Sequence, residues 1–418
     1  MSMLFLMDVK QYEKLWLKRL LMMVLCLSIC LLSTVSVASK TSVSKRVYSV
    51  LTDVQAILYP ESTGSNSKSA NDTATSGTPD LNKAKRLVAS LKMDSLSEYE
   101  QALIHQLSAS IAWSEENYSG VYNATKSAWQ LQVLPAKDQL MMEKRLAQVA
   151  MYLEQWQQGV AHFESWLVNR ELYNQKVEVK HQIAIASDDY LLMAQGSYQA
   201  ERWYKTLHYS DIARKQWRKE VGPKTSNLLK ESWLQLKLGA LLNLLDGEVI
   251  HKQGDRLANQ PILNESQLRL LAIEELTVLA QHYPTKDYWR QLAFMYLRKV
   301  DQQSEKEAKR RRVLALASLE SAYLSDLIVT EQDILWMVQL QMYLENYRRA
   351  ADILATNLTS ERLPRSVRNI RLLASNAMAS RDYKLARQAL LDVKALDPKA
   401  DISESLATAE TMINKVYP

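Results

Sequence analysis

The sequence predicts an all-α fold: a right-handed superhelical solenoid of helical hairpins. Three observations point there. Glycine and proline are scarce, 9 each in 418 residues, and runs of β-branched residues are few, which argues against a β architecture. Apolar residues make up 47% of the chain and recur at helical rather than alternating spacing. A helix–turn–helix pattern is also visible at its clearest near the C-terminus and returns in altered form along most of the chain.

That clearest copy is Asn369 to Pro398. Leu373, Ala374 and Ala377 share one face of its first half, and Ala386, Leu390 and Val393 one face of the second. The polar turn Ser380-Arg381-Asp382 lies between, with Tyr383 beside it. Pro398 stops the second helix, since proline lacks the amide and clashes with the preceding turn. Small residues at Ala374 and Ala386 allow close approach while leucines fill the seam. This is the layout of a tetratricopeptide hairpin of about 34 residues.

The N-terminus, residues 1–38, has the order of an export signal: Lys18 and Arg19, the apolar run Leu20 to Leu32, then small residues ending at Ala38. Two fates are open, cleavage after Ala38 or retention as a single span, because Leu20 to Ala38 approaches the ~20 residues needed to cross a bilayer. Ile29 before Cys30 is too large for a lipoprotein signal. Either fate places the remainder outside the cytoplasm, and retention would associate it with a membrane through residues 20–38. Both cysteines, Cys26 and Cys30, lie in the apolar run, so the exported part has no disulfide framework. Residues 1–38 account for two of the six net positive charges. The remaining +4 is modest and does not indicate a nucleic-acid partner.

Residues 39–94 form a first hairpin, with Val47, Leu51, Val54 and Leu58 along one stripe and a polar low-complexity insertion at 61–80. Residues 95–398 form the solenoid proper. Ser97-Glu98 opens a helix with Leu107, Ala109 and Ala112, followed by Tyr118, Ala128 and Trp129. Leu146, Ala147 and Ala150 repeat the pattern, with Trp156, Phe163 and Trp166 after them. Met193, Ala194, Trp203 and Ala213 give a weaker copy. Trp233, Leu236 and Leu242 mark another first helix, whose partner is delayed past an insertion at 246–266 to Ala272, Leu276 and Leu279. Trp289, Leu292, Ala293 and Tyr296 restart the pattern. Within the charged stretch Asp301 to Arg312, the run Lys306 to Arg312 reads as a solvated inter-helix loop or an exposed helix end, with a contact for anionic lipid or an acidic partner segment as its functional reading. Thr330 to Leu358 gives one more hairpin. Residues 399–418 contain a capping helix, Ser403 to Val416, which a solenoid needs over its last apolar face.

Catalytic constellations are missing from the sequence. It contains no GxxxxGK[ST], GxGxxG or GxSxG. Its six histidines are scattered and form no metal motif. The expectation is a non-enzyme with no cofactor and no metal. The adjacent acidic pairs Glu115-Glu116, Asp188-Asp189 and Glu274-Glu275 read as solvated charge. Trp156, Trp166, Trp203, Trp233 and Trp289 read as core.

In a curved row of hairpins the first helices line the concave side. Helical offsets from the packing positions place Lys144, Gln148 and Tyr152, then Arg290, Phe294 and Arg298, then Gln339 and Tyr343, and finally Arg371 and Ser375 on that face. The mixture of basic, amide and aromatic groups suits an extended or helical peptide, including an acidic one.

Ser95 to Leu107, Glu231 to Leu236, Tyr288 to Leu297 and Ala315 to Leu354 are similar to exported tetratricopeptide proteins of Gram-negative bacteria associated with TonB–ExbB–ExbD systems. The resemblance covers most of Leu81 to Pro398. The insertions after Pro60 and Leu245 depart from the compact pattern of that group. The resemblance implies a periplasmic accessory, with the TonB/ExbB/ExbD inner-membrane complex as partner, that helps couple proton motive force to iron-siderophore uptake, and it implies no catalytic residues. The alternative is a scaffold for cell-envelope or peptidoglycan-machinery assembly. A glycan hydrolase would need paired carboxylates converging on a cleft, for which the sequence gives no signal.

Overall fold

A computed structural model describes residues 42–59, 79–222, 229–246, 261–328 and 330–416. The export segment, most of the 61–80 insertion and most of the 246–266 insertion lie outside the described residues. Among those described there are seventeen α-helices and no strand. No described helix is long and apolar enough to cross a membrane.

The helices are α1 (Lys45–Leu58), α2 (Leu81–Ala89), α3 (Glu98–Ser114), α4 (Tyr118–Gln130), α5 (Ala136–Tyr152), α6 (Trp156–Asn174), α7 (Ser187–Gln199), α8 (Trp203–Val221) and α9 (Glu231–Leu245). They continue with α10 (Glu265–His282), α11 (Lys286–Leu297), α12 (Glu305–Leu324), α13 (Glu331–Tyr343), α14 (Tyr347–Thr359), α15 (Val367–Ala379), α16 (Tyr383–Leu396) and α17 (Ser403–Val416). The chain divides into two compact units, with the change at Leu236–Lys237 inside α9. Helices α1–α8 and α10–α17 pack chiefly on their sequence neighbours, the serial arrangement of tetratricopeptide-like hairpins.

One turn recurs. Helices α3/α4, α5/α6, α7/α8, α13/α14 and α15/α16 are joined through a residue in the left-handed region: Glu116, Glu154, Glu201, Glu345 and Arg381, with φ from 55 to 64°. The next amide returns to a carbonyl five residues back. Asn117 N–H donates to Ala112 O (2.9 Å), Gln155 to Ala150 (2.8 Å), Arg202 to Ser197 (2.8 Å), Asn346 to Gln341 (2.9 Å) and Asp382 to Ala377 (2.8 Å). This closure satisfies carbonyls that a helix end would otherwise leave unpaired. It also fixes the exit direction, so the following residue, Tyr118, Trp156, Trp203, Tyr347 or Tyr383, begins the return helix.

Six of the N-termini are fixed by a serine or threonine cap. Ser44, Ser97, Thr285, Ser304, Thr330 and Ser366 each accept an amide from the first helical turn, the residue types that cap helices best. Ser304 decides the charged run. Its cap starts α12 at Glu305, so Lys306 to Arg312 is helix, not loop. Arg311 in that run is 3% exposed and donates to the Arg298 carbonyl at the end of α11 (2.9 Å).

Cores form along the row. In the first unit they run from Val47, Val54, Ala84 and Ile104 to Phe163, Trp166, Leu192 and Met193, and end on Leu191, Ala213 and Trp233. In the second unit Ala315, Leu319, Ile334, Met337, Leu354, Ile370 and Val393 form one cluster. Trp166, Trp203 and Trp233 are buried, whereas Trp156 and Trp289 are half-buried.

The acidic pairs correct the sequence reading. Asp189 and Glu275 are each 5% exposed and sit in ion pairs with Lys144 (2.7 Å) and Lys237 (3.2 Å). Neighbouring helical residues point about 100° apart, so one member of such a pair can turn inward where a cation meets it.

Candidate interaction face

The ten positions expected on the concave side fall in two places. Lys144, Gln148 and Tyr152 lie on α5 in the first unit. Arg290, Phe294, Arg298, Gln339, Tyr343, Arg371 and Ser375 lie on or just after α11, α13 and α15 in the second.

On α5 the row is enclosed. Lys144 pairs with Asp189 of α7, and its ammonium stands 5.1 Å from the Trp166 ring centre. Gln148 is 2% exposed, so its side chain is not presented outward. Tyr152 lies against Tyr118, ring centres 4.0 Å apart. Glu143, also buried, accepts from Ser165 Oγ (2.5 Å) and Asn169 Nδ2 (2.9 Å) of α6. Glu143 and Lys144 of this helix are thus spent on neighbouring helices.

In the second unit the first helices of three successive hairpins stand side by side. Arg290 Nε of α11 lies 3.0 Å from Asp333 Oδ1 of α13. The Asp333 carboxylate is 1% exposed and takes a hydrogen bond from Thr330 Oγ1 (2.6 Å) at the cap of its own helix. Asn369 Nδ2 of α15 donates to Glu331 Oε1 of α13 (3.0 Å). The acid or amide three residues past each cap thus locks one first helix to the one before it. Glu100 of α3 does the same in the first unit, accepting from the Ser44 amide (2.8 Å) at the start of α1. That Ser44 bond holds the Glu100 carboxyl down at about 2, with Ser97 acting in the same direction and burial opposing.

Each of the three helices keeps one solvent-facing stripe. On α11 it is Arg290 and Phe294, on α13 Gln332, Gln339 and Tyr343, and on α15 Arg368, Arg371 and Ser375. Phe294 is 53% exposed and Tyr343 59%, large values for aromatic side chains. Arg298 departs from the stripe. It donates to the Leu245 carbonyl (2.6 Å) and pairs with Asp246 (3.3 Å) and Glu265 (3.5 Å).

Sequence reasoning passed over three contributors. Arg312 of α12 lies 5.2 Å from the Tyr343 ring centre while pairing with Asp301 (2.9 Å). Gln332 lies two turns before Gln339 and Arg368 one turn before Arg371, and these spacings of 7 and 3 residues could have found them. Among the described residues no group of His, Cys, Asp and Glu side chains could hold a metal ion.

No protein-family model matches the chain, and no curated protein does. Solved structures with a similar course include the TPR2AB domain of yeast Sti1 in its pHSP90 complex: 13% identity, TM-score 0.36, covering 76% of this chain and 98% of that one. The apo form of RapI follows at 11% identity and TM-score 0.28, covering 88% and 92%. NprR in complex with its cognate peptide NprX has 9% identity and TM-score 0.25, covering 89% and 84%. Similarity at this level says nothing about function. The hairpin architecture rests on the turns, caps and cores described above.

Proposed function

We propose that this protein is a non-enzymatic scaffold that holds a segment of a partner polypeptide across the stripes of α11, α13 and α15. The observation behind this reading is the pair of half-exposed aromatics, Phe294 and Tyr343, on helices otherwise well packed. Exposed aromatics set among arginines and amides are the groups that anchor protein interfaces. Arg368 and Arg371, without an ion pair among the described residues, supply positive charge beside them and favour an acidic segment.

The finer reading follows the sequence resemblance. The chain is exported to the periplasm, either freed after Ala38 or held at the inner membrane, and assists the TonB–ExbB–ExbD system in iron-siderophore uptake. A photo-crosslinking residue at Phe294 or Tyr343, in iron-starved Gram-negative cells, tests both levels. Capture of TonB-complex proteins, lost when the other aromatic is changed to alanine, is the expected result. Capture of a different envelope protein would replace the partner and keep the face. No crosslink from either position, with the protein folded and expressed, would remove the face itself.

A further inference from the structure

A second recognition feature lies in the first unit, where the N-terminus of α7, the C-terminal turn of α8 and the start of α9 enclose a cavity of about 480 Å³. We propose that this cavity binds a cationic side chain, the lysine or arginine of a partner polypeptide. The inference is independent of the α11–α13–α15 face and would survive its loss.

The walls supply the chemistry. Trp217 of α8 and Trp233 of α9 form an aromatic corner, ring centres 6.5 Å apart and planes at 64°. Trp233 is buried, and Trp217 is half-buried at the cavity. Indole faces are the strongest aromatic partners of a cation. Two carboxylates, Asp188 and Glu220, line the same space with one ammonium, Lys230. One negative charge is therefore left over.

The two acids are not equivalent. Glu220 is committed to the fold: it accepts from the Ser187 amide (2.9 Å) and hydroxyl (2.6 Å) and caps α7. The neighbouring Asp189 is occupied by Lys144. Asp188 has no hydrogen-bond donor among the described residues. Burial pushes its carboxyl up; Lys230 opposes this, and Asp189 and Glu220 add to it. A carboxylate held half-buried near two others gains most from an added cation. A guanidinium or ammonium on an aliphatic stem satisfies every wall at once: the stem lies along indole, and the head pairs with Asp188. The volume lies within the range of small-ligand sites. It leaves room for one long side chain with water around it.

The full-length chain labelled with 5-fluorotryptophan permits a direct test by fluorine NMR. The Trp217 and Trp233 signals are assigned with Trp217→Phe and Trp233→Phe variants. The probes are N-acetyl-arginine amide and its neutral near-isostere N-acetyl-citrulline amide. The expected result is a saturable shift of those two signals by the arginine probe, with the citrulline probe weaker by about tenfold or more. Asp188→Asn, which keeps the side chain's shape, should weaken the arginine probe by a similar factor without moving Tm, and Phe294→Ala should not weaken it. Equal binding of the two probes, unchanged binding in Asp188→Asn, or no saturable shift up to about 10 mM would each overturn the proposal.

Discussion

Helices α5 and α13 are both first helices of hairpins, yet they treat solvent in opposite ways. From Gln139 to Tyr152, α5 has no exposed side chain; α13 exposes Glu331, Gln332, Gln339 and Tyr343. The difference lies in what surrounds them more than in their own polarity. On α5, Glu143, Lys144 and Tyr152 each meet a complementary group on α4, α6 or α7. On α13, Glu331 and Asp333 are tied to neighbours, but among the described residues Gln339 meets no such group and Tyr343 meets only Arg312. Polar residues at repeated positions can thus serve cohesion in one hairpin and stay exposed to solvent in another.

The buried ion pairs offer the hardest test of that contrast. Asp189→Ala strands Lys144, whose side chain is 14% exposed, and is expected to cost roughly 3–5 kcal/mol. Asp333→Ala should cost less, about 2–3 kcal/mol, since Arg290 is 30% exposed and can turn to water while the cap from Thr330 is weakened. Urea unfolding of the two variants checks the order; a larger loss for Asp333→Ala would contradict the view that α5 is the enclosed row.

The close approach behind α5 comes next. A Cβ on Gly159 would stand 2.5 Å from Met151 Cγ and 3.1 Å from the Ala147 carbonyl oxygen. Gly159→Ala should therefore destabilise the first unit by about 1–2 kcal/mol, overpacking exceeding the gain of up to about 1 kcal/mol in helix propensity. A rise in Tm would show that α5 and α6 separate more easily than the geometry implies.

Acid probes the cap that joins α1 to α3. The Glu100 carboxyl, held at about 2 chiefly by the Ser44 bond, lies below its unfolded range of about 4.3. Its contribution is present above that range and is lost as pH falls from about 5 towards 2. Stability measured at pH 5 and pH 3 should fall less in Glu100→Gln than in the parent, after the general loss common to both. Equal falls would mean that the Ser44–Glu100 bond is not maintained in solution.

The smallest expected effects are on the open stripe. Phe294→Ala and Tyr343→Ala should each change stability by no more than about 0.5 kcal/mol, as for other exposed positions, while weakening partner capture. A large loss of stability in either would make the residue part of the core and remove the contrast with α5.

Hairpins were legible because their signals are local. Ser97, Pro398 and the aromatics after each turn mark ends that depend on a few adjacent residues, and Ser403–Val416 is helical as its sequence suggests. The charged run left loop and exposed helix end open; Ser304 decides for the helix end by capping α12, and the burial of Arg311 is what the sequence did not show. Five expected face residues, Lys144, Gln148, Tyr152, Arg290 and Arg298, turned out to be paired with or enclosed by neighbours. Helical offsets give direction around one axis, but they do not say what stands opposite. The same limit explains Asp189 and Glu275, whose partners are 45 and 38 residues away in the chain.

By itself, the sequence determined that the protein is a succession of helix pairs, and where most of them begin and end. Periodicity, caps and breakers act within a turn or two of the backbone and need no distant partner. Only the tertiary structure decided which polar side chains are consumed in holding neighbouring pairs together and which remain exposed to solvent. That choice depends on long-range juxtaposition: a charge becomes structural when a neighbouring helix brings its opposite within reach, and stays available where none does.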